Sequence, residues 1–352
     1  MDISEIDKNF KIARVTEKDV KWLCALDTPF SAHGVFYDYN NKEYRRMPKE
    51  IADKVSDGVA YLARNTAGGR LRFKTNSKYV AVKVRAPYTV PAHHMTPILQ
   101  FGFSLYADGE FKGTFTPIYN EFSSGEPVCY ESIRYLGDGE KEIELHFPLY
   151  GGVNDLFIGV QECATVKKAR AYAHPRPVVF YGSSITQGGC ATRPGNDYVG
   201  FLCRMLDTEI LNLGFSGNAK GEKTMVAYLA SLDPSVYVID YDHNAPNAEH
   251  LQATHMPLYE GIRAARPSTP ILFMTKPDFE SDPDAATRRS VIYQTYTTAK
   301  SRGDKNVAFI DGEHLFGKDE RGACTVDGCH PTDLGFYRMA CTVAPVLKEF
   351  LK

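Results

Sequence analysis

From residue 177 onward, short apolar runs alternate with segments of helix length, and this alternation restricts the fold more than any other feature of the sequence. The apolar runs are residues 177–182, 209–215, 235–241, 270–277 and 306–311. Strands that are apolar almost throughout are typical of parallel sheets, because helices cover both faces of such sheets. The alternation therefore predicts an α/β domain built on a parallel sheet. In such a domain, reactive groups are expected beyond the carboxyl ends of the strands.

The residues before this region follow a different pattern, in which polar and apolar side chains alternate. Predicted strands and hairpins occupy residues 78–86, 103–115, 129–147 and 155–166. Asp108-Gly109 in the second segment is a pair that favours the positive φ angles of a tight hairpin turn. The third segment repeats the pattern around Gly137-Asp138-Gly139. An antiparallel β-sandwich or jelly roll is the predicted architecture.

The segment His174-Pro175-Arg176-Pro177 separates the two patterns. Proline cannot donate a backbone hydrogen bond to a strand ladder, so the two prolines predict a linker here. We therefore expect a β-sandwich accessory domain over residues 1–173 and an α/β domain over residues 174–352. A length of 352 residues agrees with two domains.

Charge and composition exclude several classes of partner. The formal net charge is −2 and no dense run of Lys and Arg occurs, so neither nucleic acid nor an anionic membrane is an expected partner. The N-terminus is acidic and polar, unlike a secretory signal. Eight dispersed cysteines form no CxxC pair, and free thiols in a reducing compartment account for them most simply. We expect a cytoplasmic protein.

Two of the predicted strand-end loops carry small polar residues. Residues 182–188 read GSSITQG, where Ser183 and Ser184 either cap the next helix or expose a hydroxyl group at the sheet edge. Residues 212–218 read NLGFSGN, where Gly217 permits a close approach of its backbone N–H to a ligand. Taken singly, both loops are ordinary strand-to-helix turns.

The other two loops carry groups suited to proton transfer and to oxyanion binding. Asn244, in residues 240–247, has an amide that can donate a hydrogen bond to a developing oxyanion. Asp327 and His330 are three residues apart with a glycine between them, which suits a tight turn that holds carboxylate against imidazole. Thr332 is expected to cap the last helix. A metal site is the alternative for the third loop, built from Asp242, His243, His250 and His255.

In chain order, GSSITQG, NLGFSG, DYDHNA and DGCHPTDLG resemble four sequence blocks of the GDSL/SGNH hydrolase family. The resemblance covers about residues 177–352 and implies a flavodoxin-like, three-layer SGNH hydrolase domain. Upstream, GGVNDLF at residues 151–157 is similar to the G-x-D-L-Y signature of the β-sandwich that precedes some bacterial members.

The resemblance implies a role for each matching residue. Ser184 would be the nucleophile, His330 its base, and Asp327 the carboxylate that orients His330. The oxyanion hole would comprise the Ser184 N–H, the Gly217 N–H and the Asn244 amide. Two positions depart from the family: Ser183 replaces the usual Asp, and the third block reads DHNA rather than G-x-N-D.

The resemblance leads us to expect a serine esterase that removes short acyl groups, acetyl above all, from carbohydrates. Its partner would be a small-molecule or oligosaccharide ester, with no cofactor and no metal, and a homo-oligomer stays open. Substrate contacts are expected from Arg193, His243 and Phe279. The alternatives are a non-catalytic carbohydrate-binding protein, an esterase or lipase for other small acyl esters, and a metal-dependent phosphoesterase or deacetylase.

Overall fold

The computed structural model describes residues 6–7, 12–277 and 282–352. The N-terminal half is mainly β-structure. Its strands are β1 Val20–Cys24, β2 Ser31–His33, β3 Phe36–Asp38, β4 Glu43–Arg45, β5 Arg70–Thr75, β6 Tyr79–Ala86, β7 Phe103–Ala107, β8 Glu110–Phe115, β9 Val128–Tyr135, β10 Lys141–His146, β11 Asp155–Gln161 and β12 Val166–Lys167. Its helices are α1 Lys49–Val55, α2 Asp57–Leu62, α3 Pro97–Phe101 and α4 Tyr119–Phe122.

Two antiparallel sheets face each other across one apolar core. The first has the strand order β1-β11-β6-β9, and the second has the order β12-β5-β10-β7-β8, with β2 also paired to β5. Val82 of the first sheet and Leu145 of the second are fully buried in the same core. The predicted antiparallel sandwich is confirmed. The predicted hairpin between β7 and β8 is confirmed too, with Asp108 at φ 51° and Gly109 at φ 81°.

The predicted hairpin over residues 129–147 is wrong in its pairing. Strand β9 pairs with β6 in the first sheet, whereas β10 lies between β5 and β7 in the second. The turn at residues 137–139 therefore carries the chain from one sheet to the other. Alternating side chains predict that two strands exist, but they do not determine which neighbour each strand finds.

The C-terminal half is an α/β layer structure. Its strands are β13 His174–Gly182, β14 Thr208–Gly214, β15 Val236–Asp240, β16 Ile271–Met274 and β17 Val307–Ile310. Its helices are α5 Ser184–Gln187, α6 Tyr198–Leu206, α7 Lys223–Ser231, α8 Ala248–Ala265, α9 Ala285–Ser301 and α10 Asp333–Phe350. The strands pair in parallel in the order β14-β13-β15-β16-β17, which is the flavodoxin-like order 2-1-3-4-5.

Burial on both faces explains why β13 is apolar throughout. Val178 and Phe180 pack into the core on one side of the sheet, whereas Val179 and Tyr181 pack into the core on the other side. All four side chains are 0% exposed. A strand covered on both faces needs apolar residues at every position, so the expected parallel sheet is confirmed.

The segment 174–177, predicted as a linker, belongs to β13 instead. His174 pairs with Thr208 of β14, and the regular register resumes only at Val178. Pro175 and Pro177 lie in this irregular start of the strand, where missing N–H donors are tolerated. The prolines therefore mark the beginning of a strand.

The two halves share buried side chains. Met47, which precedes α1, and Leu62, the last residue of α2, lie in the core that also contains Val179 and Tyr181. Leu149 and Tyr150, which precede β11, lie in the core on the opposite side of the sheet. The N-terminal half thus contributes to both layers that surround the parallel sheet.

All eight cysteines lie among the described residues, and each is a free thiol. No helix in the described part of the chain combines the length and the apolarity that a membrane span requires.

Candidate active site

The loop after β13 assigns different tasks to its two serines. Ser183 caps helix α5, and its hydroxyl group accepts a hydrogen bond from the Ile185 N–H at 3.1 Å. Ser184 is the first residue of that helix and is 7% exposed. Gly182 makes the turn possible, because a Cβ atom there would lie 2.0 Å from the Thr186 hydroxyl group. The cap formed by Ser183 leaves the Ser184 hydroxyl group available for another partner.

That partner is His330. The distance from Ser184 Oγ to His330 Nε2 is 2.9 Å, and the distance from His330 Nδ1 to Asp327 Oδ2 is 2.8 Å. The structure therefore joins hydroxyl, imidazole and carboxylate into one chain, although Ser184 and His330 are 146 residues apart. In this order, the groups can pass a proton from the hydroxyl oxygen to the imidazole.

Asp327 and His330, which we call the base side of the site, lie in a tight turn between β17 and α10. The Val326 N–H donates to the His330 carbonyl group at 2.9 Å, and Thr325 and Pro331 form a short antiparallel bridge. Gly328 within the turn has φ 84°, a value that favours glycine. Thr332 caps α10 by accepting from the Gly335 N–H, as predicted.

The turn also keeps Asp327 ionised. Partial burial raises the pKa of Asp327, but hydrogen bonds from the His330 ring and from the backbone N–H groups of His330 and Cys329 outweigh burial. The pKa falls to about 2. An ionised carboxylate at Nδ1 keeps a proton on that nitrogen and leaves Nε2 able to accept the proton of Ser184.

Gly217 and Asn244, two of the candidate oxyanion donors, lie in the loops that follow the strands on either side of β13. Gly217 follows β14 and has φ 69°. A Cβ atom built on Gly217 would have no atom within 4 Å apart from those of its chain neighbours, so the space beside it is open. Asn244 follows β15 in a short 3₁₀ turn, and its Oδ1 accepts from the Ala219 N–H at 3.2 Å. Because that contact occupies the amide oxygen, the Nδ2 group is the part of Asn244 that can serve a ligand.

A buried glutamine, which the sequence reading missed, connects the nucleophile to the oxyanion loop. Gln187 is 0% exposed, and its Oε1 accepts from the Ser216 N–H at 3.1 Å. Its Nε2 donates to Asn65 Oδ1 at 3.2 Å and to the Leu149 carbonyl group at 3.1 Å. Both of those acceptors belong to the N-terminal half.

A third residue of the N-terminal half, Tyr150, contacts the backbone of the nucleophile. Its hydroxyl group donates to the Ser184 carbonyl oxygen at 3.3 Å. The nearest atoms to a Cβ built on Gly189 are the Tyr150 hydroxyl oxygen at 2.9 Å, the Ser184 carbonyl oxygen at 3.2 Å and His330 Cδ2 at 3.3 Å. The N-terminal half therefore reaches the site. The sequence assigned Tyr150 no role, although this residue directly precedes the G-x-D-L-Y-like motif at residues 151–157.

A buried carboxyl group supports the helix that bears Ser184. Asp240, at the end of β15, accepts hydrogen bonds from Thr186 Oγ1 and from the Tyr198 hydroxyl group, each at 3.1 Å. Burial raises the pKa of Asp240, as does the nearby charge of Asp242, and the value reaches about 7.

The three predicted substrate contacts have different positions. Arg193 stacks on the Phe111 ring at 3.6 Å and donates to the Tyr106 hydroxyl group, so it joins the hairpin of the N-terminal half. His243 lies beside the turn, with its Nδ1 3.8 Å from Cys329 Sγ. Phe279 lies outside the described residues.

The four residues of the alternative metal site are engaged separately. His250 Nε2 bonds to the Lys220 carbonyl group, and His255 Nδ1 bonds to Thr295 Oγ1. Asp242 accepts from the Lys276 N–H. Within the ranges that the structure describes, no three His, Cys, Asp or Glu side chains are grouped so that they could hold a metal ion.

Comparisons with known families match both halves. Residues 175–348 match the GDSL-like lipase/acylhydrolase family, and residues 20–166 match the family described as the N-terminus of SGNH-hydrolase-type esterases. Among curated proteins, no sequence matches this chain.

Several solved structures share the fold over both halves. A candidate GDSL-like lipase from Bacteroides ovatus is 27% identical, with a TM-score of 0.82 over 94% of this chain and 98% of that one. A salicylyl-acyltransferase from a tetracycline biosynthetic pathway is 19% identical, with a TM-score of 0.76 over 95% and 98%. A family two carbohydrate esterase from Clostridium thermocellum, in complex with cellohexaose, is 16% identical, with a TM-score of 0.62 over 81% and 93%.

Proposed function

The chain belongs to the GDSL-like lipase/acylhydrolase family, and we propose that it is a serine esterase that removes acetyl groups from carbohydrate esters. The observation that carries the proposal is the hydrogen-bonded order of Ser184 Oγ, His330 Nε2, His330 Nδ1 and Asp327 Oδ2, with distances of 2.9 Å and 2.8 Å. A serine hydroxyl group is a weak nucleophile at neutral pH unless a base accepts its proton, and this order provides the base.

The first half of the reaction forms an acyl-enzyme. Ser184 Oγ attacks the ester carbonyl carbon as its proton moves to His330 Nε2, and Asp327 stabilises the resulting imidazolium. The carbonyl oxygen becomes an oxyanion that accepts hydrogen bonds from the Ser184 N–H, the Gly217 N–H and the Asn244 amide. The carbon–oxygen bond to the alcohol then breaks, and the departing alcohol oxygen takes the proton from Nε2.

The second half of the reaction repeats these steps with water. His330 Nε2 accepts a proton from water as the water oxygen attacks the acyl carbon, and the same donors hold the new oxyanion. When this intermediate collapses, the proton returns from Nε2 to Ser184 Oγ and the carboxylic acid leaves. The net change is ester plus water to acid plus alcohol.

Polar surroundings support a hydroxylated substrate. His243 lies beside the candidate base, and the exposed ring of His94 lies 6.1 Å from the ring of His330. Imidazole groups can both donate and accept hydrogen bonds, as sugar hydroxyl groups require. A family two carbohydrate esterase shares this fold, which agrees with a carbohydrate substrate.

Acetate release from acetylated xylo-, gluco- and mannooligosaccharides tests the proposal, with p-nitrophenyl esters from acetate to octanoate as a second series. We expect acetate release from at least one oligosaccharide, and faster turnover of the p-nitrophenyl acetate than of the octanoate. The Ser184→Ala variant should release no acetate above the rate without enzyme. Preference for octanoate would favour the alternative of an esterase or lipase for other acyl esters.

A further inference from the structure

We propose that His94, a residue of the N-terminal half, forms a subsite for the alcohol part of the ester. Its ring forms a hydrogen bond with a sugar hydroxyl group on a carbon next to the ester oxygen. This inference rests on the proposed esterase function and specifies which part of the substrate the N-terminal half recognises. His94 lies on the segment between β6 and α3, residues 87–96, which we call the His94 loop.

The position of His94 relative to the candidate base is the first observation. The centroids of the His94 and His330 rings are 6.1 Å apart, and the planes are tilted by 47°. Both nitrogens of His330 already have partners in Ser184 and Asp327. His94 therefore packs beside the His330 ring without replacing the hydrogen bonds that His330 makes to Ser184 and Asp327.

The polar atoms of His94 are available. The residue is exposed, and no hydrogen bond or ion pair engages its ring within residues 6–7, 12–277 and 282–352. The adjacent His93 ring lies 4.7 Å from it, centroid to centroid. An exposed imidazole whose ring neighbours are His93 and His330, and whose nitrogens have no partner among the described residues, can direct a nitrogen to a ligand.

The His94 loop is held from its own side by a buried side chain. Gln100, 2% exposed, accepts a hydrogen bond from the Ala92 N–H at 2.9 Å through Oε1 and donates to the Val90 carbonyl group at 3.4 Å through Nε2. A buried amide that bonds to two backbone groups fixes the path of the loop immediately before His94.

The C-terminal end of the loop is connected by hydrogen bonds to the helix that follows the His330 turn. Thr96 Oγ1 donates to the Thr192 carbonyl group at 2.7 Å. Asp333 accepts in turn from the Thr192 N–H at 2.8 Å and from the Thr192 hydroxyl group at 2.6 Å. Because Asp333 begins the helix that follows the His330 turn, His94 and His330 are positioned by one connected set of bonds.

The backbone beside Tyr150 also receives this loop. A Cβ atom on Gly151 would lie 2.0 Å from the Gln100 carbonyl oxygen, and one on Gly152 would lie 2.9 Å from Pro87. Gly152 therefore lets the start of the loop approach the segment that contacts Ser184, and Gly151 does the same for helix α3, which follows the loop. Such close packing agrees with a loop that has a fixed place at the site.

The chemistry of acyl-enzyme formation identifies which part of the substrate comes near. The alcohol oxygen takes its proton from His330 Nε2, so the alcohol must lie against the His330 ring as it departs. The ester carbonyl oxygen instead faces the candidate donors Gly217 and Asn244. A ring adjacent to His330 can therefore contact the alcohol, and a sugar presents hydroxyl groups on the carbons next to its ester oxygen.

The test compares two leaving groups in His94→Ala. One substrate is a mono-O-acetylated methyl β-D-xylopyranoside, and the other is p-nitrophenyl acetate, whose alcohol has no neighbouring hydroxyl group. Because kcat/KM reports acyl-enzyme formation, we expect it to fall about tenfold for the acetylated sugar, the value of one lost hydrogen bond, and to stay within about twofold for p-nitrophenyl acetate. His94→Gln, which keeps a hydrogen-bonding side chain, should restore part of the loss.

Val90→Ala is the matched control, since Val90 is on the same loop and 72% exposed. We expect this variant to change neither rate. Equal losses for both substrates in His94→Ala, or no loss for either, would overturn the subsite. A wild-type enzyme that hydrolyses p-nitrophenyl acetate but none of the acetylated sugars would also overturn it.

A binding measurement separates this failure from failure of the proposed function. The Ser184→Ala variant cannot form the acyl-enzyme, so its binding of the acetylated xyloside can be measured by titration calorimetry. Adding His94→Ala to this variant should raise the Kd about tenfold. An unchanged Kd would contradict the subsite even in an active esterase. A wild-type protein that hydrolyses neither ester would contradict the proposed function itself.

Discussion

Ser184 is 7% exposed and belongs to a helix whose polar side chains bond to residues far away in the sequence, whereas the Asp327 side chain is 40% exposed and bonds within its own turn. On the nucleophile side, Gln187 reaches Asn65, 122 residues earlier. On the base side, Asp327 bonds to groups two and three positions away, and the bridge that closes the turn joins Thr325 to Pro331. The comparison shows that one reaction centre can combine a nucleophile held by long-range contacts with a base held by contacts within one short turn.

The largest loss of activity is expected when Asp327, the carboxylate that contacts His330, is replaced. In Asp327→Asn, the side-chain oxygen can still accept from the two backbone N–H groups, but an amide facing Nδ1 favours the wrong tautomer of His330. We expect kcat for p-nitrophenyl acetate to fall by up to about 10⁴-fold.

The exposed Asp319, outside this turn, provides the control Asp319→Asn, which should keep full activity. An Asp327→Asn variant with activity near wild type would show that the local turn does not orient the base.

The nucleophile side should respond strongly to loss of an oxyanion donor. Asn244→Ala removes the amide and should lower kcat by about 10²–10³-fold with little change in KM, since the donor acts on charge that develops in the transition state. Asn244→Asp keeps the acceptor for the Ala219 N–H but lacks the donor, so we expect a comparable loss. Recovery of activity in Asn244→Asp would reduce Asn244 to a positioning role.

The long-range support of the nucleophile side should matter less than its reacting groups. Gln187→Met keeps the length of the side chain but leaves the Ser216 N–H and two acceptors of the N-terminal half without partners. We expect about a tenfold lower kcat and a free energy of unfolding lower by about 1–3 kcal/mol.

Asn65→Ala removes only one of these partners and should have the smaller effect on both quantities. If Gln187→Met lowered stability and left kcat unchanged, the bonds to the N-terminal half would serve folding alone.

The last expected effect is gradual and concerns the pH dependence of stability. The pKa of Asp240 is about 7 in the folded protein, above its ordinary value of 3.8, so unfolding releases a proton between these two values. The stabilisation from the neutral carboxyl group is therefore complete below about pH 4 and is lost as pH rises to about 7.

Urea unfolding of wild type and Asp240→Asn across this range measures the effect. The free energy of unfolding of wild type should decline relative to the variant as pH rises. Two parallel curves would show that Asp240 is ionised in the folded state.

The same contrast explains what could be predicted from the sequence. Asp327, His330 and the cap Thr332 lie in one short segment, so their arrangement follows from local turn chemistry. The five parallel strands were predictable because burial on both faces leaves a continuous apolar run. The structure brings Ser184 to His330 as the family resemblance implied, although the sequence between them does not specify the distance.

Non-local pairing could not be predicted. Gln187 reads as an ordinary polar residue, because its partners Asn65 and Leu149 come from a segment that looked like a separate domain. The assignment of β9 and β10 to different sheets was missed for the same reason. The prolines at residues 175 and 177 suggested a linker, but an irregular strand start can also accommodate them.

Labelling with a fluorophosphonate, followed by intact mass and peptide mapping, tests most directly whether the buried serine and the exposed turn form one reactive unit. The probe reacts only with a serine whose proton a base can accept, so a single adduct on Ser184 is expected in wild type, with none in Ser184→Ala and a much slower reaction in Asp327→Asn. A wild-type protein that stays unlabelled, or an adduct that persists in Ser184→Ala, would contradict this account.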